Sequence, residues 1–267
     1  MIAQAILQLR TYSGAKSNES GEPAIVISNI TKRFGTITAV DGLNLEIGWG
    51  EIFGLLGPNG AGKTTTINIL STLLAPDEGH ALVGGHDVVK EPKEIWEIIG
   101  LCPQLPAFYP FLTGRENIEL FGQLHLMPKQ LLKERTDLLL KKIGMEEDAN
   151  RHAGQYSGGM VRRVSTLMAL IHDPKVALLD EPTVAMDPVS RRAVWEFIRE
   201  LRSQDKSVIL TTHYMEEAAE LCDRVGIIDQ GKLIDLGSPK ELVEKYGVAD
   251  LEEVFVQRTG RNLREAV

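Results

Sequence analysis

Residues 57–65 read GPNGAGKTT, and this stretch decides the fold. It fits the pattern G-x-x-x-x-G-K-[ST], in which each fixed position meets a need of a bound polyphosphate. Glycine lets the backbone curl so that several N–H groups point at phosphate oxygens. Lys63 can reach the β- and γ-phosphates, and the Thr64 hydroxyl can bind Mg²⁺. The stretch therefore predicts a loop that binds a nucleoside triphosphate.

The flanking residues supply the context that such a loop requires. An apolar run at 52–56 precedes it, and a helical pattern at 66–70 follows it. A helix that begins at the loop adds the positive end of its dipole to the anion site. The residues predicted to contact the nucleotide are Gly57, Pro58, Asn59, Gly60, Ala61, Gly62, Lys63, Thr64 and Thr65.

Composition narrows the class of protein. The chain has 267 residues, of which 43% are apolar and 25% charged, ordinary values for a globular protein. Its net charge of −8 argues against broad nucleic-acid binding, for which a basic surface is expected. No stretch approaches the run of about eighteen apolar residues that a membrane span needs. Cys102 and Cys222 match no metal-binding spacing and are expected to be buried thiols.

Further strand signals predict a largely parallel sheet. Two β-like runs, at 24–27 and 43–47, come before the loop, and three buried-strand candidates follow it at 176–179, 208–210 and 225–228. The first two of these candidates are each followed by a helical pattern, which is typical of parallel β–α units. Residues 227–234 predict a hairpin around a glycine turn.

Residues 105–172 are predicted to form an inserted helical subdomain, because strand signals are weak there. Thr113 and Glu116 have the spacing of a capping box, so a helix should begin at this point. Pro128 should end or restart that helix. A helical stripe then runs to a C-cap at Gly144, and its apolar members are Leu131, Leu132, Leu138, Leu139 and Ile143. At the other end of the chain, residues 1–22 are expected to form a flexible tail, since much of this segment is polar and rich in Ser, Gly and Glu.

A second chemical signal is the apolar run at 176–179, which is followed directly by Asp180 and Glu181. Ligands of open α/β sheets bind at the carboxyl ends of strands, where these carboxylates are predicted to lie. Asp180 is expected to help hold Mg²⁺, and Glu181 to act as the general base for a water that attacks the γ-phosphate. The alternative is a strand that ends in a solvated acidic turn; the phosphate loop earlier in the chain favours the catalytic interpretation.

A third signal is the segment YSGGM at 156–160, which precedes a helical run. Ser157, Gly158 and Gly159 predict a second set of N–H groups at a helix N-terminus, again suited to phosphate. Taken singly, such a segment is most often a flexible turn. Its position just upstream of the Asp180 strand favours a role in nucleotide binding.

Together these motifs resemble those of the ATP-binding subunits of ATP-binding-cassette (ABC) transporters, over about residues 25–237. Residues 57–65 resemble the family's Walker A loop, 176–181 its Walker B strand, and 156–160 its signature, usually LSGGQ. Four single residues also match: Gln104 the Q-loop glutamine, His213 the switch histidine, Asp187 the end of the D-loop, and Phe34 the aromatic that stacks on adenine.

The resemblance implies the fold class: α/β, with a P-loop NTPase core built on a mostly parallel sheet, an N-terminal antiparallel β region and an inserted helical subdomain. Residues 23–240 would form the ATPase domain, and 241–267 a C-terminal helical extension.

The resemblance also implies a mechanism. In the family, two such domains pair head to tail around two ATP molecules, each bound between the Walker A loop of one domain and the signature of the other. By this resemblance Thr64, Gln104 and Asp180 help hold Mg²⁺, Glu181 activates water and His213 contacts the γ-phosphate. The implied partners are a polytopic membrane subunit and a second ATP-binding subunit, either an identical copy or a close relative, with no nucleic acid. The implied location is peripheral, on the cytoplasmic face of the cell membrane.

Several positions depart from the common pattern. Tyr156 and Met160 replace the first and last residues of the usual signature, which resembles a branch that exports drugs and polysaccharides. The D-loop reads Val184-Ala185-Met186-Asp187 where the family often has Ser-Gly-Leu-Asp. The favoured hypothesis is therefore the ATPase subunit of an exporter. The alternatives are a soluble, non-transport ABC ATPase that acts on DNA or ribosomes, and a nucleotide-gated regulatory module without useful hydrolysis.

Residues 105–112, LPAFYPFL, follow the Q-loop glutamine and are unusually aromatic. Part of this segment is predicted to line a groove for a short helix of the membrane subunit. The alternative is that its rings only fill the core of the helical subdomain.

Overall fold

The computed structural model describes residues 22–260. The predicted tail at 1–22 lies outside the described residues except for Glu22, and so do residues 261–267 of the predicted C-terminal extension.

The described chain alternates strands and helices. The strands are β1 (Ile25–Phe34), β2 (Ile37–Ile47), β3 (Ile52–Leu56), β4 (Glu78–Val83), β5 (His86–Asp87), β6 (Ile99–Cys102), β7 (Val176–Asp180), β8 (Ser207–Thr212), β9 (Arg224–Asp229) and β10 (Lys232–Gly237). The helices are α1 (Lys63–Leu70), α2 (Pro92–Ile98), α3 (Gly114–Leu124), α4 (Lys129–Lys142), α5 (Gly158–Leu170), α6 (Pro188–Ser203), α7 (Met215–Leu221), α8 (Pro239–Tyr246) and α9 (Leu251–Thr259). A short 3₁₀ helix, Ala153–Gln155, precedes α5.

A six-stranded sheet with the order β10-β9-β3-β8-β7-β6 lies at the centre of the fold. The pairs from β9 to β6 are all parallel, and β10 is the antiparallel edge strand that pairs with β9. The inner strands β3, β7 and β8 are buried on both faces, because successive side chains of one strand enter different hydrophobic cores. In β8, Val208 and Leu210 join one core and Ile209 the other. This arrangement explains why these strands read as continuous apolar runs.

A second sheet of four antiparallel strands, in the order β2-β1-β4-β5, covers one of these cores. The sequence signals predicted β1 and β2 but missed the segment from β4 to α2. The cause is local, since β4 begins Glu-Gly-His and its first three residues are exposed. Only Ala81 and Val83 of this strand are fully buried, too few to produce a periodic signal.

Helices α3, α4 and α5 lie between β6 and β7 in the chain. The predicted capping box is present: Thr113 Oγ1 accepts from the Glu116 N–H at 3.2 Å, and the Glu116 carboxylate accepts from the Thr113 N–H at 2.8 Å. Pro128 separates α3 from α4. The predicted apolar stripe is only partly internal. Leu132, Leu139 and Ile143 are buried, whereas Leu131 and Leu138 are 44% and 52% exposed, because only one face of α4 packs on the core.

Both cysteines are buried free thiols, as the sequence predicted. Burial raises the pKa of each thiol, so neither thiolate forms readily. Within residues 22–260, no helix combines the length and apolarity that crossing a bilayer requires.

One carboxylate, that of Asp235, links helices α8 and α9 to the edge strand β10. Asp235 on β10 is 7% exposed, and it receives hydrogen bonds from Lys245 at 2.8 Å and from the Tyr246 hydroxyl. Arg258 Nε of α9 lies 3.2 Å from the same carboxylate. Burial alone would raise the pKa of Asp235, but the hydrogen bonds from Lys245 and Tyr246 outweigh it and lower the pKa.

Replacing this carboxylate should loosen both helices. We expect Asp235→Ala to lower the free energy of unfolding by about 2 kcal/mol, because hydrogen bonds to a charged group contribute about 1.5–3 kcal/mol each and the freed cations can be hydrated. Denaturant titration measures the change. The matched control is Asp41→Ala, which removes an exposed ion pair with Lys232 on the same strand and should cost less than about 1 kcal/mol. Equal losses of unfolding free energy for the two variants would contradict the role of Asp235 in holding α8 and α9 against the sheet.

Candidate nucleotide-binding site

The phosphate loop joins the carboxyl end of β3 to the N-terminus of α1. Two of its glycines have no room for a side chain. A Cβ at Gly57 would lie 2.3 Å from the Ile228 carbonyl oxygen, and one at Gly62 would lie 2.3 Å from the Ala39 carbonyl oxygen. Gly62 also has a φ of 110°, which L side chains rarely adopt. The loop is therefore held between β9 and β2, and its curled shape depends on glycine at both positions.

Lys63 lies inside this loop and is only 5% exposed. Its ammonium group donates to the carbonyl oxygens of Gly57 at 2.7 Å and Pro58 at 3.1 Å. Burial lowers the pKa of Lys63, and the nearby charges of Glu181 and Asp180 act in the opposite direction. The lysine that the sequence predicted for the phosphates is thus close to the two acidic residues at the end of β7.

Thr64 and Thr65 lie in the first turn of α1, each half-buried. Both residues are therefore partly accessible to a ligand. Asp180 is 1% exposed, and one of its carboxylate oxygens accepts from the Thr211 hydroxyl of β8. The described residues contain no group of three His, Cys, Asp or Glu side chains able to hold a metal ion. Oxygen donors such as those of Thr64 and Asp180 nonetheless fit Mg²⁺, which commonly binds through one or two protein groups plus substrate phosphates.

Glu181 begins the turn after β7 and adopts a left-handed conformation with φ 53°. Its N–H lies 3.1 Å from the Thr211 carbonyl oxygen and 3.0 Å from the Thr211 hydroxyl. His213, at the end of β8, places Nδ1 at 3.3 Å from Glu181 Oε1. Parallel pairing of β7 with β8 brings the two side chains together, although 32 residues separate them in sequence.

The hydrogen bond from His213 lowers the pKa of Glu181, against burial, which would raise it. The charges of Lys63 and Arg162 add to the lowering. A lowered pKa means that the carboxylate stays ionised throughout the neutral range, and that its interactions are lost only as the pH falls through the folded-state pKa. Glu181 is therefore in the form that can accept a proton.

Arg162 is the residue of this site that sequence reasoning missed. It lies on α5, is 2% exposed, and donates to the carbonyl oxygens of Glu181 at 2.9 Å and Gln104 at 3.0 Å. A third bond goes to the Pro103 carbonyl oxygen. One buried guanidinium therefore joins α5, the helix that begins within the signature, to the Q-loop at residues 103–104 and to the turn after β7. The sequence held no local signal for this role, because the partners of Arg162 lie 19 to 59 residues away in the chain.

Ser157 caps α5, since its hydroxyl accepts from the Met160 N–H at 3.3 Å. Ser157 and Gly158 are exposed at the surface. Tyr156 fixes the entry to the helix, because its hydroxyl donates to the Asp148 carbonyl oxygen at 2.7 Å. The signature residues are thus presented outward on an anchored helix end.

The D-loop lies directly against the signature glycines of the same chain. A Cβ at Gly158 would lie 3.7 Å from the Ala185 Cβ, and one at Gly159 would lie 3.2 Å from the Ala185 carbonyl oxygen. Ala185 has a φ of 61°, a conformation that glycine adopts more easily. The alanine noted in the sequence as a departure therefore occupies a strained backbone position.

Three other residues predicted for the site lie around this centre. Phe34 is the last residue of β1 and is 50% exposed. The other strand of the same hairpin, β2, passes close to Gly62. The Gln104 side chain is exposed, while its backbone carbonyl is held by Arg162. Asp187 is exposed and caps α6, with Oδ1 accepting from the Val189 and Ser190 N–H groups at 3.0 Å. One oxygen of Asp187 is thus engaged within its own helix.

Comparisons with known proteins agree with this arrangement. Residues 40–184 match the family described as ABC transporter. The chain is 42% identical to the daunorubicin resistance ATP-binding protein DrrA3 of Streptomyces coeruleorubidus over 90% of this chain and 76% of that protein. It is 41% identical to the linearmycin resistance ATP-binding protein LnrL of Bacillus subtilis over 89% of this chain and 75% of that protein.

Two solved structures are also similar. An ATP-binding subunit of an ABC transporter superposes with a TM-score of 0.81 at 24% identity, covering 88% of this chain and 99% of that one, which shows the fold. A dimeric, post-hydrolysis ATP-binding cassette bound to ADP and Pi superposes with a TM-score of 0.73 at 28% identity, covering 80% of this chain and 98% of that one.

The fold and the site define an ATP-binding cassette. The chain belongs to the ABC transporter family, and its activity is that of an ATPase subunit. The fold class implied by the sequence resemblance is confirmed, including the antiparallel β region and the parallel-rich sheet.

Arg162 supplies a test of how the site is held together. We expect Arg162→Leu to cost at least about 3 kcal/mol of stability, because several buried carbonyl oxygens would lose a charged donor. Urea titration measures the loss. Arg163→Leu is the matched control, since Arg163 is the next residue and donates to two carbonyl oxygens in a more exposed setting, those of Ile143 and Gly144 at 3.2 Å. A loss for Arg162→Leu no greater than that of the control would rule out the joining role.

Proposed function

We propose that this chain is the ATPase subunit of an exporter and works as a dimer that binds two ATP molecules. Each ATP would lie between the phosphate loop of one copy and residues 157–159 of the other. The observation that carries the proposal is the exposed N-terminus of α5, where Ser157 and Gly158 face outward. Such a helix end binds phosphate well, and a second copy or a close relative can supply the ligand. A similar solved structure is a dimeric cassette bound to ADP and Pi, which supports the pairing of two such chains.

Within each site, Glu181 is the proposed general base for the attacking water, and His213 orients its carboxylate. Lys63 is the proposed cation for the β- and γ-phosphates, and Phe34 the stacking surface for adenine. Thr64, Gln104 and Asp180 would hold Mg²⁺, which neutralises developing charge on the phosphates when bound. The remaining loop amides and the dipole of α1 stabilise the polyphosphate.

The proposed partner is a polytopic membrane subunit, and the proposed location is the cytoplasmic face of the membrane. Support comes from relatives that align with about nine-tenths of this chain and are named for resistance to daunorubicin and linearmycin. A third, from Mycobacterium tuberculosis, is 39% identical over 91% of this chain and 72% of that protein, and is named for doxorubicin resistance. We propose a hydrophobic, antibiotic-like cargo on this basis.

The proposed contact with the membrane subunit is the segment 105–112. Leu105 is 84% exposed and Phe111 is 88% exposed, large apolar side chains that water solvates poorly. Phe108 packs against the core, so it is the ring that fills the interior. The docking proposal therefore rests on Leu105 and Phe111.

The catalytic assignment predicts that two substitutions separate binding from turnover. Glu181→Gln removes the base but keeps the shape, so ATP should still bind and an ATP-bound dimer should accumulate, with kcat reduced about 100-fold or more. Lys63→Ala removes a phosphate contact, so nucleotide binding itself should weaken. Nucleotide titration, size-exclusion chromatography and phosphate release measure these effects. Normal steady-state hydrolysis by Glu181→Gln would falsify the general-base role.

The docking surface predicts a loss of coupling without a loss of nucleotide binding. Leu105→Ser with Phe111→Ser should reduce co-purification of the membrane subunit and ATP-driven uptake of daunorubicin into inverted vesicles, while ATP binding stays unchanged. Leu126→Ser is the control, since Leu126 is similarly apolar and 64% exposed but lies at the α3–α4 turn. Full transport by the double variant would show that the partner binds elsewhere.

A further inference from the structure

Glu217 is a buried acidic residue that the nucleotide site does not use. It lies in the first turn of α7 and is 1% exposed. Its Oε1 accepts two hydrogen bonds, from the Thr183 hydroxyl at 2.6 Å and from the Trp195 indole N–H at 2.9 Å. Its Oε2 has no hydrogen-bond partner among the described residues. A buried carboxyl group that is only half satisfied is costly, so its place in the fold needs a reason.

The two ends of the Thr183–Glu217 bond belong to the two segments that supply the reacting groups. Thr183 is 0% exposed and follows Glu181 by two residues in the turn after β7. Glu217 follows His213 by four residues on the helix that begins just after the histidine. The bond therefore joins the turn that carries Glu181 to the helix that follows His213.

A second contact joins the same two segments farther along. The Arg191 guanidinium lies 3.5 Å from the Met186 carbonyl oxygen and 4.6 Å from the centre of the Tyr214 ring. This contact is long and partly exposed, whereas the Thr183–Glu217 bond is short and buried. Of these two contacts, the buried bond is therefore the one better able to hold the segments in a fixed relation.

We propose that the Thr183–Glu217 hydrogen bond is a positioning contact that keeps Glu181 and His213 in register for hydrolysis. This proposal rests on the proposed function, in which Glu181 is the general base and His213 orients its carboxylate. Without the bond, the turn after β7 can shift relative to α7 and lengthen the 3.3 Å contact between His213 and Glu181. Displacements of about 1 Å at a reacting group can lower a rate about 100-fold.

The geometry provides a matched pair of variants. Thr183→Val and Trp195→Phe each remove one donor to the same Glu217 oxygen, but only Thr183 lies in the turn that carries Glu181. We expect Thr183→Val to lower kcat about tenfold or more per ATP-binding site, with the KM for ATP changed less than about twofold. Thr183→Ser keeps the hydroxyl and should restore kcat. Trp195→Phe should leave kcat within about threefold of the unchanged chain, even if it lowers the unfolding temperature as much as Thr183→Val does.

The measurements are steady-state phosphate release and nucleotide titration on the full chain, with thermal unfolding followed in parallel. If Thr183→Val yields no folded protein, Thr183→Ala takes its place. A kcat unchanged in the Thr183 variant, or lowered equally by Trp195→Phe, would overturn the proposal. Glu181→Gln is assayed beside them. If that variant hydrolyses ATP normally, the general-base assignment fails whatever Thr183→Val does, so the two failures are distinguishable.

Discussion

The parallel pairing of β3, β8 and β7 is the constraint on which the site depends. Parallel strands end at the same edge of a sheet, so the phosphate loop after β3, His213 after β8 and Glu181 after β7 are all brought to one edge. Because these strands are buried on both faces, a one-residue shift in register would exchange the residues of the two cores. The packing of the two cores therefore fixes the position of the proposed reacting groups together with the strand register.

The sequence alone indicated those candidate site residues whose chemistry is local. Residues 57–65 carry their own glycines, lysine and helix start, and Asp180 and Glu181 follow an apolar strand directly. Arg162 and Glu217 were not predicted, because their roles depend on partners 19 and 34 residues away. Neither an arginine nor a glutamate in a helix indicates which carbonyl or hydroxyl it will meet. The same limit applies to β4, whose identity comes from pairing with β1 and not from its own residues.

Buried polar groups in this protein are concentrated where segments must keep a fixed relation. Arg162 joins the signature helix to the Q-loop, Thr211 joins β8 to β7, and Asp235 joins the C-terminal helices to the sheet. The hydrophobic cores supply most of the stabilisation, but the hydrophobic effect is non-directional. Hydrogen bonds to charged groups are directional, so these buried polar groups add a fixed geometry that apolar packing alone does not supply.

The contact between the D-loop and the signature glycines has a consequence for how this chain can diverge. A side chain in place of Gly159 would press on the Ala185 carbonyl oxygen, which lies 3.2 Å from the position its Cβ would take. The two motifs are separated in sequence but meet at one steric boundary. The room at position 159 is therefore set by the backbone path of the D-loop, so a variant that alters that path would also alter which residues the signature can accommodate.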